Sequence, residues 1–192
     1  MGDVDTKLVQ AARRGDADAW DSLFRTHQLP LYVFVIKMVR NETIALDLVQ
    51  ETLIAATRYL ASLKKDERFM SWLFSIARQK CVSDWRRSKN EAEPLADHED
   101  LDAIDESQPG DWLIGAEKRD RLLHSIDQLP PAQREVIVLF FLEEFSLESI
   151  AEITRSRVGT VKSRLHYAKK SLRKLLEKQD EIAQRTPIRT AR

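Results

Sequence analysis

The chain has 192 residues and a formal net charge of zero, because its 31 basic residues balance 31 acidic ones. Its longest dense apolar stretch, residues 29–39, contains a lysine and is too short to span a bilayer. One cysteine excludes an internal disulfide and a cysteine-rich zinc site, and the four histidines lack metal-ligand spacing. We therefore expect a cytoplasmic protein that has no membrane contact, no metal and no other cofactor.

The total of zero hides two strongly charged segments. Residues 88–112 contain nine acidic residues and one basic residue, which gives a net charge of −8. Residues 154–192 contain twelve Lys or Arg and three acidic residues, which gives a net charge of +9. Charge that is segregated in this way indicates a basic binding surface in the C-terminal segment.

The first 87 residues show the apolar spacing of helices throughout. We predict a short helix near 6–14 that stops at Gly15, followed by a second helix that Asp16 caps. A third helix is predicted over about 43–60 and a fourth over 71–87. The third helix is expected to turn a stripe toward the core, formed by Leu46, Val49, Leu53, Ala56 and Leu60.

The acidic segment and the region after it complete the predicted organisation. Residues 88–112 contain prolines and few large apolar side chains, so we predict a flexible linker. Helical spacing resumes after it, and no segment has the spacing of a strand. The predicted fold class is all-α, with two small helical domains joined by the acidic linker. The predicted divisions are 1–87 for the N-terminal domain, 88–112 for the linker, 113–177 for the C-terminal domain and 178–192 for a tail without an assigned role.

The segment "SRVGTVKSRLHYAKKSL", residues 156–172, is predicted to be a basic amphipathic helix. Ser156 is the predicted N-cap, and the small Gly159 and Thr160 keep the first turn slim enough to approach a phosphate. A short helix behind Ser146 and a connection of about three residues precede it, as in a helix-turn-helix. This context favours a helix that reads DNA over the alternative, a solvated basic face. Its predicted inner face contains Val161, Leu165, Ala168, Leu172 and Leu175.

A second face of the third helix is predicted to bind a protein. Asp47, Gln50, Glu51 and Ile54 share this face, on the geometry of a regular helix. Carboxylates repel phosphates, so an apolar side chain among them suits a protein partner better than DNA. The alternative is an ordinary solvated face.

The segment "SLKKDERFMSW", residues 62–72, combines cations with aromatic rings. Lys64, Lys65 and Arg68 stand beside Phe69 and Trp72, and such a set suits single-stranded nucleic acid because rings stack on unpaired bases. The alternative is that both rings belong to the core.

The fourth helix has a polar side that is predicted to face DNA. Arg78, Gln79 and Arg86 lie on it, whereas Lys80 and Asp84 are expected to pair with each other. Cys81 is predicted to be a small core residue, and Trp85 is predicted to pack.

No catalytic set is present in the sequence. Ser, His and Asp occur without the motif context that a nucleophile requires, and there is no Gly-rich phosphate loop. We therefore predict that the chain is not an enzyme.

Three segments together resemble the extracytoplasmic-function (ECF) sigma factors, which belong to the sigma-70 family of bacterial RNA polymerase subunits. Residues 129–176, from "LPPAQREV" to "LRKLL", resemble the promoter-reading C-terminal domain. "DLVQETLIAA" and "SWLFSIARQKCVSDWRR" resemble pieces of the N-terminal domain, in the right order and at the right separation. The resemblance implies a subunit that binds core RNA polymerase and directs promoter-specific initiation. Region 2, over 1–87, would bind the core enzyme and the −10 element, and region 4, over 113–177, would bind the −35 element.

The resemblance also assigns roles to individual residues. The residues implied at the −35 element are Arg155, Arg157, Thr160, Lys162, Ser163, Arg164, His166, Tyr167, Lys169 and Arg173. Those implied at the −10 element are Lys64, Lys65, Arg68, Phe69, Trp72, Arg78, Gln79 and Arg86. Those implied for core polymerase are Asp47, Gln50, Glu51 and Ile54.

Two positions depart from the family pattern. The turn 154–157 lacks the glycine that members often have, so Arg155 must adopt a turn conformation without glycine's freedom, or the turn differs. Tyr167 stands where members commonly have Arg, which leaves the −35 preference open.

Other functions and partners also fit parts of the sequence. A stand-alone helix-turn-helix regulator with a helical dimerisation or sensing domain is the main alternative, and an interaction protein without a DNA role is another. Members of the family are often held by an anti-sigma factor, which is a further candidate partner. The charge segregation also suggests that the acidic linker folds back on the basic domain and weakens nonspecific DNA binding.

Overall fold

The computed structural model describes residues 2–88 and 116–185, with side chains over 6–87 and 120–180. Within these ranges the chain forms eight α-helices and no strand, which confirms the predicted all-α fold class. The acidic segment 89–115 lies outside the described residues, and the fold-back hypothesis therefore stays a prediction.

Four helices form the N-terminal half. Two short 3₁₀ turns, Leu60–Ser62 and Asp66–Arg68, connect the last two of them. The helices are α1 (Gly2–Arg13), α2 (Ala17–Val39), α3 (Glu42–Tyr59) and α4 (Phe69–Ser88).

The ends of the first helices follow local rules of capping. Asp16 caps α2, as predicted, because its Oδ1 accepts hydrogen bonds from the N–H groups of Asp18 and Ala19 at 3.0 and 3.1 Å. Gly15 precedes it with φ +90°, a conformation that glycine adopts without steric cost. Asn41 caps α3 by accepting from the Ile44 N–H at 3.1 Å.

The buried face of α3 differs from the predicted stripe. Leu46 was predicted to be in the core, but 54% of it is exposed. The helix packs against both α2 and α4, so its inner face is rotated toward the groove between them. Its buried residues are Ala45, Leu48, Val49, Thr52 and Ala56.

The C-terminal half contains the other four helices. A π-helical segment, Val138–Leu142, continues the second of them, and Ser146 caps the third by accepting from the Ser149 N–H at 3.1 Å. The helices are α5 (Ala116–Asp127), α6 (Pro131–Ile137), α7 (Leu147–Thr154) and α8 (Val158–Arg185).

The long helix α8 buries the predicted apolar side. Val161, Leu165, Ala168 and Leu172 are buried and Leu175 is half-buried, against α6 and α7. The helix also runs beyond the predicted boundary at 177, and Asp180 forms an ion pair with Arg121 of α5 at 2.6 Å.

The two halves pack against each other. Helix α4 lies against α7, and α2 lies against α6. The ring of Phe74 on α4 meets Phe145 edge-on, with 5.0 Å between the centroids, and also contacts Phe34 on α2. Phe74 therefore links the core of the N-terminal half to the C-terminal half.

Candidate nucleic-acid interface

Helices α7 and α8 form a helix-turn-helix, and the turn depends on Arg155. Its backbone is left-handed, with φ 53° and ψ 39°, and its N–H bonds to the carbonyls of the last turn of α7. The departure noted in the sequence is therefore resolved, because Arg155 takes the conformation for which other chains use glycine. The predicted cap by Ser156 is wrong, because α8 begins at Val158 and its Val161 N–H bonds to the carbonyl of Arg157.

The outer side of α8 carries the basic residues that the sequence predicts. Lys162, His166 and Lys169 are all partly exposed, and Arg173 is exposed. None of these four is in the interior, which is the geometric condition for contact with a DNA groove. The turn adds two exposed cations, Arg155 and Arg157.

Two of these residues contact neighbouring aromatic rings. The Lys169 ammonium lies 5.9 Å from the centroid of the Phe141 ring, within the range of a cation–π contact. The rings of His166 and Tyr167 meet edge-on, with 5.5 Å between their centroids. Ser163 and Thr160 are partly buried, and the Ser163 hydroxyl donates to the Thr160 carbonyl at 3.0 Å.

Arg164 points toward its own domain. Its Nη1 donates to the Ser156 hydroxyl at 3.2 Å, across the turn. Its charge also acts on Glu135 of α6, a buried carboxyl. Burial raises the pKa of Glu135, although Arg78 and Arg164 both act to lower it. Arg164 therefore supports the turn of the helix-turn-helix, a role that the sequence spacing does not reveal.

The segment between α3 and α4 borders a cavity of about 350 Å³. Lys64, Lys65, Arg68 and Trp72 line it, as expected for a set that acts together. Phe69 does not line it, because its side chain is 1% exposed and its ring packs between His27 and Trp72. Phe69 therefore supports Trp72 and offers no free face to a base. The cavity is completed by Ser62, Leu63, Ser71, Ser75 and, from α7, Glu152.

The predicted DNA-facing side of α4 is only partly open. Gln79 and Arg86 are exposed, but Arg78 Nε donates to Glu135 Oε1 at 2.7 Å. Glu135 belongs to the C-terminal half, so Arg78 is engaged between the halves.

The predicted pair between Lys80 and Asp84 does not form. Lys80 Nζ instead donates to Glu51 Oε2 on α3 at 2.8 Å, and Asp84 pairs with Arg87 at 3.4 Å. Lys80 reaches Glu51 because α3 packs directly on α4, a contact that no spacing along one helix shows. Cys81 is buried, as predicted, and burial raises the pKa of its thiol to about 12.

The predicted protein-binding face of α3 is exposed. Asp47, Gln50 and Glu51 are exposed, Ile54 is 44% exposed, and the Lys80 hydrogen bond lowers the pKa of Glu51. Leu46 extends this face, since it stands at i, i+4 and i+8 with Gln50 and Ile54. The sequence contains that spacing, but the predicted core stripe began one position too late, at Leu46 instead of Ala45.

Two family models match the chain, one in each half. Residues 23–91 match sigma-70 region 2, and residues 119–172 match sigma-70 region 4. The ECF RNA polymerase sigma factor SigW of Bacillus subtilis is 30% identical over 179 residues, which cover 88% of this chain and 95% of SigW. This chain belongs to the ECF sigma factors of the sigma-70 family.

A second relative supports the same family assignment. The RNA polymerase sigma factor CarQ of Myxococcus xanthus is 32% identical over 168 residues, which cover 88% of this chain and 95% of CarQ. These matches confirm the family that the sequence resembles and do not favour the alternative, a stand-alone regulator.

Solved structures of similar chains share the fold. CnrH, in complex with the cytosolic domain of CnrY, matches with a TM-score of 0.67 and 25% identity, over 91% of the sigma factor and 98% of the matched chain. The sigma factor RpoE of Bartonella quintana, in complex with the anti-sigma factor NepR, matches with a TM-score of 0.64 and 27% identity, over 82% and 96%.

Two features are absent from the described part of the sigma factor. No helix within residues 2–88 and 116–185 has the length and apolar composition of a membrane span. The same ranges contain no group of three or more His, Cys, Asp or Glu side chains placed to hold a metal ion.

Proposed function

We propose that this sigma factor reads the −35 element with the outer side of α8, reads the −10 element with the cavity segment and α4, and docks on core RNA polymerase through α3. The observation that most directly supports this proposal is the exposed basic side of α8, which follows a well-formed turn in a chain of this family. The polymerase supplies the chemistry, and the chain itself acts by binding.

The proposed binding roles are divided between the two halves of the chain. We place region 2 in residues 1–87 and region 4 in 113–177, with 88–112 as the linker and 178–192 as the tail. Because core polymerase works in the cytoplasm, the chain is placed there as well. The complex of the similar RpoE with NepR supports an anti-sigma factor as a further partner.

The role of Lys162 is tested by truncation. Lys162 is partly exposed on the first turns of α8, where a side chain reaches base edges in a major groove. We expect Lys162→Ala to weaken −35 binding by about 1–3 kcal/mol, the usual worth of a good base contact. Promoter binding by the polymerase holoenzyme measures it, with Lys178→Ala, also on α8, as the matched control. An unchanged promoter profile would remove Lys162 from the proposal.

The docking face is tested separately from DNA binding. We expect replacement of Asp47, Gln50 and Glu51 by Ala to abolish co-elution with core polymerase, because the exposed polar face of α3 is then lost. Binding of the full chain to −35 duplex DNA should persist. Asp18→Ala/Asp21→Ala, at two exposed acidic positions on α2, removes the same two negative charges and is the control for charge alone. Normal co-elution of the triple variant would show that core polymerase binds elsewhere.

A further inference from the structure

Helix α1 packs against the segment proposed to read the −10 element, although α1 lies outside residues 23–91, which match region 2. We propose that Arg13, the last residue of α1, is a positioning residue that fixes this segment and thereby sets the selectivity for the −10 sequence. The inference rests on the proposed function of the segment and deepens it, because it names a residue that acts from outside the cavity.

The guanidinium of Arg13 holds the backbone of the segment at two places. Its Nη1 donates to the Leu60 carbonyl at 3.3 Å, and its Nη2 donates to the Leu63 carbonyl at 3.1 Å. The Leu60 carbonyl also accepts from the Leu63 N–H at 3.0 Å, so the guanidinium reinforces the 3₁₀ turn that follows α3. Carbonyls at the end of a helix lack partners inside it, and a planar guanidinium can satisfy two of them together.

The same guanidinium also forms an ion pair with the start of the second 3₁₀ turn. Its Nη2 lies 2.6 Å from Asp66 Oδ1, and the Arg13 and Asp66 side chains are 35% and 20% exposed. Charge-assisted hydrogen bonds of this kind are stronger than neutral ones. Arg13 therefore joins Leu63 to Asp66. Between these two residues lie only Lys64 and Lys65, which line the cavity.

The position of Arg13 is itself determined by the end of α1. The Gly15 N–H donates to the Ala12 carbonyl at 3.0 Å, and the Asp16 N–H donates to the Ala11 carbonyl at 3.2 Å, the pattern of a Schellman motif. Gly15 provides the left-handed residue of that motif, with φ +90°. Ala12 is also buried in the core. The guanidinium therefore extends from a fixed backbone, which supports the segment.

The two lysines that Arg13 brackets are exposed and line the cavity together with Arg68 and Trp72. A lysine carries its charge on a flexible stem, so the location of that charge depends on how firmly the backbone is held. Contacts to phosphates set the register of a nucleic acid, and contacts to bases then specify its sequence. If the backbone of the segment moves, a strand can bind in more than one register, and discrimination between bases falls.

The hold of Arg13 on the segment is measured by hydrogen exchange in the full chain, without DNA. The N–H groups of Leu63 and Arg68 each donate to a carbonyl three residues earlier, at 3.0 Å. We expect Arg13→Lys to speed exchange at both by about tenfold, because an ammonium cannot reproduce the fork of donors. The matched control is Arg14→Lys, the same change at an exposed neighbouring residue, which should leave exchange unchanged.

The effect on −10 selectivity is measured with core polymerase and a pool of duplex DNA that has randomised −35 and −10 windows. Bound DNA is sequenced, and the wild-type chain defines the preferred sequence in each window. We expect Arg13→Lys to reduce enrichment of the preferred −10 sequence by about tenfold, while enrichment in the −35 window stays unchanged. The −35 window is an internal control, because a general loss of folded protein would lower both enrichments together. Arg14→Lys should behave as the wild-type chain does.

The partner of Arg13 provides a second variant, on the segment itself. Asp66→Asn removes the charge of the ion pair, and Glu67→Gln makes the corresponding change at the next residue, which is exposed. We expect smaller effects in the same direction for Asp66→Asn, because the two carbonyl contacts of Arg13 remain. Equal effects for Glu67→Gln would assign them to the charge of the segment and contradict the role of Arg13.

Two further results would overturn the inference. Unchanged exchange in Arg13→Lys would show that Arg13 does not hold the segment. Faster exchange with unchanged −10 selectivity would show that the segment reads DNA without being held. The proposed function is judged separately, since a wild-type chain that enriches no −10 sequence would contradict it and leave the exchange result standing.

Discussion

Glu143, at the end of the π-helical segment, shows what burial does to one side chain. Burial alone raises the pKa of its carboxyl to about 7, and no cation contributes to that shift. A raised acid pKa means that the folded chain binds a proton more tightly than the unfolded chain. The stability that this proton provides is present at low pH and is lost as pH rises from about 4.5 through about 7.

We therefore expect Glu143→Gln to raise the melting temperature at pH 8 and to change it little at pH 5. The amide has nearly the same shape and needs no proton, so the penalty for an ionised, partly buried carboxylate disappears. Thermal unfolding at the two pH values measures the difference. A stabilisation of equal size at both would rule out ionisation as its cause.

The backbone of Arg155 has a conformation that is unfavourable for a residue with a side chain. A left-handed conformation costs a side-chain-bearing residue about 1–2 kcal/mol, while glycine loses part of that advantage through its greater freedom when unfolded. We expect Arg155→Gly to stabilise the chain by up to about 1 kcal/mol and to weaken −35 binding, because an exposed cation is lost. Urea unfolding and promoter binding measure the two effects, and a loss of stability would contradict the strain argument.

At the scale of the element, short α7 depends on its cap. An eight-residue helix gains little from propensity alone, and the Ser146 hydroxyl satisfies one N–H that would otherwise lack a partner. The position of α7 also sets the angle at which α8 is presented. The cap, the left-handed Arg155 and the Arg164 contact with Ser156 together fix this geometry.

We expect Ser146→Ala to lower the free energy of unfolding by about 1 kcal/mol, the usual cost of removing an N-cap. Urea unfolding measures the loss. Ser83→Ala, at an exposed position inside α4, is the control and should change stability by much less. Equal losses for the two variants would mean that the hydroxyl of Ser146 has no special role.

At the scale of the whole molecule, a buried ion pair joins the halves. Removing one partner of such a pair is costly because the other charge is left buried. For Arg78→Gln we expect a loss of about 3 kcal/mol at pH 8, measured by urea unfolding. Because burial already raises the pKa of Glu135, protonation removes the unpaired charge at lower pH, and the loss should be smaller at pH 5. The same loss at both pH values would show that the Glu135 charge is not its origin.

Much of this protein is determined by local rules that act along the sequence. The spacing of apolar residues gives the helices and the inner side of α8, and side-chain oxygens at Asp16 and Ser146 give their starting points. Three motifs in order are enough to indicate the family, since each depends on residues within one or two helices. The basic side of α8 follows from the same periodicity.

The tertiary structure decided what depends on a second element. The face that α3 buries, the partner of Lys80 and the inward direction of Arg164 all depend on which helix lies opposite. The same holds for the contact of Arg78 with Glu135, two residues 57 positions apart. Helical periodicity specifies the direction in which a side chain leaves its own axis, but the packing of helices specifies what that side chain meets.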